Sequence, residues 1–132
     1  MDDVEVSFLP YTHDYDMSMY MANSKKRIIF SHNDIKGINY GKYISTSGFD
    51  IEDINKSCDL FINGHLHNGE NVTDKIINIG NLSGQNFSED GLKYKHNIMI
   101  IDTNSLEYQK IENPFATYFI KYDFKKYETS LL

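Results

Sequence analysis

Leu60-Phe61-Ile62-Asn63-Gly64-His65-Leu66-His67-Asn68-Gly69 constrains the fold of this chain more than any other stretch. Three large apolar residues in a row, without alternation, suit a strand buried on both faces, and the glycine and histidines that follow mark where that strand opens into a turn. Residues i and i+2 of an extended backbone project the same way, about 6.5–7 Å apart. His65 and His67 therefore leave the strand end side by side, able to grip one ion or to give one imidazole to each of two ions about 3.5–4 Å apart. Gly64, with no Cβ, permits close approach of a substrate to the backbone. Taken alone, a His-x-His pair is more often a chance feature of a surface or core than a metal site, so its surroundings have to decide.

A second unbroken run, Ile28-Ile29-Phe30-Ser31-His32, follows the basic ramp Lys25-Lys26-Arg27 and again ends in a histidine. Between the runs, Asp50 is placed to cap a helix with Ile51, Ile54 and Cys58 on one face. The order is strand, helix, strand, with a histidine at the carboxyl end of each strand, where open α/β sheets place their ligands. His32 could equally be a satisfied structural histidine, but its convergence with His65 and His67 favours a shared site. Asn33 and Gly64, next to these histidines, are the candidates for the vicinity of a bound phosphate.

Upstream, Val4, Val6 and Phe8 alternate with Glu5 and Ser7 as far as Pro10, which predicts a strand over 4–9 with its polar face wet. Thr12 or Asp14 could then cap a short helix carrying Met17, Tyr20 and Met21. From Asn33 to Gly48 no period is sustained, predicting a long loop of the kind that is often functional. Beyond Gly69 the pattern changes to short strands and tight turns. Strands are expected over 75–79, 97–102 and 106–111, the last two as a hairpin around Thr103-Asn104-Ser105, with a final strand over 118–124 and a frayed tail from Lys125. His13 and His96 lie outside the cluster and are expected to be replaceable without loss of activity.

The 132 residues carry a net charge of −6, which excludes nucleic-acid binding by bulk positive charge but leaves room for a nuclease that holds phosphate through divalent ions. One cysteine, Cys58, and the lack of a signal-like or membrane-spanning apolar run predict a reducing, cytoplasmic location and no membrane association.

The strand Ile28 to His32, the helix after Asp50 and the Gly64-His65-Leu66-His67 turn together resemble the second half of the calcineurin-like metallophosphoesterases. Phe8-Leu9-Pro10-Tyr11, Ile79-Gly80-Asn81, Phe87-Ser88-Glu89-Asp90, Ile100-Ile101-Asp102-Thr103 and Asn113-Pro114-Phe115 extend the likeness to SbcD-type DNA repair and recombination nucleases, particularly the bacteriophage versions. The resemblance implies His32 and His65 on one ion and His67 on the other, Mn²⁺ in both sites, and attack of a metal-bound hydroxide on a phosphodiester. It also implies DNA as substrate and an SbcC-like coiled-coil ATPase as partner. The fold expected is a mixed α/β sheet with two flanking helices, residues 1–132 being one partial domain equal to the C-terminal half of a four-layer α/β/β/α sandwich.

The family's Asp-x-His, Gly-Asp-x-x-Asp and Gly-Asn-His-Asp/Glu motifs do not occur in these residues. The bridging carboxylate, an Asn ligand and the catalytic His would then be supplied by a missing N-terminal half, without which the chain is expected to be inactive and to expose an apolar patch. The alternatives are a small-molecule or protein phosphoesterase of the same superfamily, and a non-catalytic interaction module that kept the fold.

Overall fold

A computed structural model describes residues 4–20, 25–39 and 43–125. Its main sheet has five strands: β1 (Val4–Leu9), β2 (Lys26–Ser31), β3 (Leu60–Asn63), β4 (Glu70–Asn71) and β5 (Ile76–Asn78), in the spatial order β1-β2-β3-β5-β4. The first four in that order pair in parallel, and the two-residue β4, which the sequence pattern does not signal, pairs antiparallel with β5. Parallel pairing explains the unbroken apolar runs, because β3 and β5 are buried at every residue and β2 over Arg27, Ile28 and Ile29.

One face of the sheet buries Ile29, Phe61 and Ile76 against helix α1 (Ile51–Ser57) and the segment before it, through Ile35, Phe49 and Ile54. Asp50 caps α1 as its sequence position suggests, its side chain accepting from Glu52 N–H at 2.9 Å. Glu52 and Asp53 in the first turn and Lys56 in the last complement the helix dipole. The loop before α1 is more ordered than its composition suggests. Ile35 bridges Phe49, Asn39 bridges Ile44, and Ile35 and Ile38 are core residues.

The other face buries Ile28, Leu60, Ile62 and Ile77 beneath a hairpin of β6 (Asn97–Ile101) and β7 (Tyr108–Glu112), through Met99, Ile101 and Tyr108. The hairpin was expected. Its turn is held by Asp102 Oδ1, which accepts from the main-chain N–H of Asn104 and Ser105, and by Leu106 at φ 61°.

Three expectations are corrected. On β1 the faces are reversed: Val6 and Phe8 are 47% and 75% exposed, while Glu5 and Ser7 are half-buried. Glu5 is drawn inward by Arg27, its buried partner on β2, whose guanidinium binds Glu5 at 2.9 Å together with the carbonyls of Tyr20 and Ser57, while Phe8 stacks on Phe30 with ring centroids 5.6 Å apart. The helix after Thr12 is, over the described residues, only a 3₁₀ turn at Ser18–Tyr20, because Asp16 rather than Thr12 or Asp14 takes the capping role, accepting from Ser18 N–H; Met21 lies outside the described residues. The strand over 118–124 is absent. The main chain there bonds single groups of a neighbouring loop, Thr117 C=O accepting from Gly84 N–H and Phe119 C=O from Gly91 N–H, so no ladder forms. The tail beyond Lys125 lies outside the described residues. No helix among the described residues is long and apolar enough to cross a membrane.

Candidate functional site

The carboxyl ends of β2, β3 and β5 are level, with Ser31 paired to Asn63 and Asn63 to Asn78. Just under this rim Asn33, Asn63 and Asn78 form a buried chain of amides. Asn63 Oδ1 accepts from Asn33 N–H at 2.9 Å, and its Nδ2 donates to Asn33 C=O at 2.8 Å and to Asn78 Oδ1 at 2.9 Å. Asn33 Nδ2 donates to Pro10 C=O and Ser31 Oγ, and its Oδ1 accepts from Thr12 N–H. Asn33 thus stands beside the histidines, as expected, but its side chain faces inward and fastens the loop after β1 to the end of β2.

On this floor stand His32, one residue past β2, and His65, two past β3. Their ring centroids are 5.1 Å apart, edge to face. Gly64 lies between them, where an added methyl would touch His32 Nδ1 at 3.5 Å, an ordinary contact. Tyr11 covers His65 from the β1 side, with ring centroids 5.8 Å apart, and His13 packs on Tyr11 rather than on the cluster.

His65 and His67 both line an open cavity of about 620 Å³, with Asp34, Glu70 and Asp90 on its wall and Lys93 on its rim. His32 is set behind His65 and does not line it. The wall is mainly polar, and its fixed charges are three carboxylates against the one Lys93 ammonium, a poor surface for a polyanion unless cations intervene.

Each of the two cavity histidines has a carboxylate against it. His65 Nε2 lies 3.2 Å from Asp34 Oδ1 and His67 Nδ1 lies 3.3 Å from Glu89 Oε1. Neither acid is a ligand candidate from the sequence, where Glu89 enters only within the Phe87-Ser88-Glu89-Asp90 likeness. Asp34 could have been found, being two residues beyond His32 at a strand end, whereas Glu89 is 22 residues from His67 and has no spacing that ties it to that histidine. Asp34 is held by Gly48, whose φ of 121° brings its backbone against that of Asp34; a methyl on Gly48 would lie 2.5 Å from Asp34 C and O. His96 is a core residue, 5% exposed, with Nδ1 2.7 Å from Asn81 C=O.

For divalent ions the donor set is half suitable. His65 Nδ1 is buried and makes no hydrogen bond within the chain, which leaves that nitrogen open to a ligand. Among the described residues, however, no three His, Cys, Asp or Glu side chains are arranged to hold one ion. The chain as folded offers separate donors and not a closed cradle.

Comparison with protein-family models, with curated proteins and with solved structures finds no match.

Proposed function

We propose that this chain is the histidine-bearing part of a two-metal phosphodiesterase of the calcineurin-like type, acting on DNA as SbcD-type nuclease subunits do. A further stretch of polypeptide carrying the Asp-x-His, Gly-Asp-x-x-Asp and Gly-Asn-His-Asp/Glu motifs would complete it. Mn²⁺ is the ion expected, an SbcC-like ATPase the expected partner, and the cytoplasm the expected compartment.

The observation that carries the reading is the meeting of His32 and His65, 33 residues apart in sequence, at the ends of two adjacent parallel strands, with His67 opening into the same cavity as His65. An incomplete donor set is what half of such a site would look like. The half-sandwich reading is supported by the apolar side chains left bare on β1, Val6 and Phe8, and on the outer face of the hairpin, Ile98 and Ile100.

A second reading is an interaction module without catalysis, and the exposed Val6, Phe8, Ile98 and Ile100 suit it equally. The two separate in one experiment. The chain is mixed with, or fused behind, a polypeptide bearing the three missing motifs, and cleavage of linear DNA and of bis-p-nitrophenyl phosphate is followed with and without Mn²⁺. Mn²⁺-dependent cleavage absent from either part alone supports the enzyme; a stable complex that cleaves neither substrate supports the module.

A further inference from the structure

Tyr43 and Tyr94 both line the cavity that His65 and His67 open into, and neither belongs to either core cluster. Tyr15, Tyr20 and Tyr108, by contrast, are partly buried against a core. Tyr43 is 63% exposed. A large aromatic ring kept out of the core and placed in a concave, solvent-open site is better explained by what it meets there than by packing.

The two rings come from opposite ends of the histidine turn. Tyr43 is carried by the loop that sets Asp34 against His65, and the Asn39–Ile44 bridge ties that loop across. Tyr94 is carried by the turn after Asp90. Its main-chain N–H donates to Asp90 C=O at 2.9 Å, while Asp90 N–H donates to Asn68 Oδ1 at 3.2 Å, one residue past His67. Among the described residues on the wall Lys93 is the one lysine or arginine, and its ammonium lies over the Tyr94 ring, 4.8 Å from the centroid.

With three carboxylates against that single ammonium, the wall gains little from the charge of a phosphate, so a nucleotide held here has to be held mainly by its neutral part. That part is the base, and every base has a π-face on which an aromatic side chain can stack.

We infer that Tyr43 and Tyr94 are specificity residues that stack the bases flanking the scissile phosphate, with Lys93 set to meet a phosphate beside the second base. Recognition then comes from bases more than from the backbone, and a phosphodiester chain without bases is a poor ligand. The scissile phosphate between the two bases rests on the phosphodiesterase reading, but the stacking can be measured without cleavage.

The test is an amide-shift titration of the ¹⁵N-labelled chain, with Mg²⁺ as a diamagnetic ion. Its two probes are a thymidine tetranucleotide and the same tetranucleotide with every base replaced by hydrogen. The thymidine probe, at millimolar concentration, should shift the amides of both Tyr43 and Tyr94 along a saturable curve, and the abasic probe should bind at least about fivefold more weakly. Tyr43→Leu and Tyr94→Leu should each weaken thymidine binding by roughly 5- to 100-fold, whereas Tyr43→Phe and Tyr94→Phe, which keep the ring, should stay within about twofold of wild type. Equal binding of the two probes, or an unshifted Tyr43 or Tyr94, would overturn the inference whether or not the variants fold, and so would a folded leucine variant that binds as the wild type does. Preference for the thymidine probe beside a completed enzyme that cleaves nothing with Mn²⁺ sinks the phosphodiesterase reading and keeps the stacking. Mn²⁺-dependent cleavage beside equal binding of the two probes does the reverse.

Discussion

Gly80 and Gly69 lie main chain against main chain beside His67: a methyl on Gly80 would fall 2.6 Å from Gly69 N and 2.9 Å from His67 C=O. Gly80 also has φ 77°, where side chains are strained. Gly80→Ala should therefore lower stability by about 1–3 kcal/mol, seen as a fall of several degrees in the thermal midpoint. Because the displaced atoms include the His67 carbonyl, the largest amide chemical-shift changes should centre on 67–69 and 79–81. Changes confined to Gly80 and its immediate neighbours would show that the contact with His67 is unimportant.

Asn63→Ala should be more damaging than its small size change suggests. It leaves Asn33 N–H, Asn33 C=O and Asn78 Oδ1 without partners in a region with no access to water. At about 1–3 kcal/mol per buried unsatisfied group, partly relieved by relaxation, a loss on the order of 3 kcal/mol is expected in urea denaturation. A loss below about 1 kcal/mol would mean the amide chain does not hold the strand ends.

The histidines divide by role. In the completed enzyme, His65→Ala and His67→Ala should each abolish Mn²⁺-dependent cleavage, and EDTA should do the same to the wild type. His13→Ala should leave turnover within about twofold, since that ring touches Tyr11 and not the cluster. His96→Ala is no longer expected to be innocuous. It removes a buried ring bonded to Asn81 C=O, costing about 1–3 kcal/mol of stability, and activity should recover at lower temperature. Cleavage that survives both His67→Ala and EDTA would show that the chemistry is different.

Cys58 supplies a pH test. Burial, reinforced by the neighbouring Asp59 carboxylate, pushes its thiol up to about 12 from an ordinary 9.0. The folded chain should thus resist alkylation by iodoacetamide at pH 8, and react only after denaturation. A group whose value is raised on folding keeps its proton while the unfolded chain loses it. This contribution to stability is therefore intact below about pH 9 and declines as pH rises toward 12. Rapid labelling of native protein at pH 8 would contradict the burial.

The parallel strands and the capped helix were legible because they rest on local signals: unbroken apolar runs, and Asp50 ahead of Ile51. What was not legible depends on partners distant in sequence. The reversed faces of β1 follow from Arg27, an apparent surface charge that folding buries under Glu5. The alternation over 118–124 promised a strand, but Gly84 and Gly91, which lack a Cβ to keep that segment at a distance, take its hydrogen bonds one at a time. The approach of Glu89 to His67 was hidden for the same reason, the two being 22 residues apart with the turns at Gly80 and Gln85 between them.

The amide chain under the rim also fixes an order of events. Its links join residues 30 and 15 positions apart, and none can form until β2, β3 and β5 are already side by side. Contacts of such long sequence separation have to meet the entropy of closing their loops before they return any stability, which slows their formation. The floor beneath His32 and His65 is accordingly a late product of folding. A nascent or partly unfolded chain can hold its hydrophobic strands together while the histidines remain unplaced, so the seating of His32 and His65 comes last and all at once.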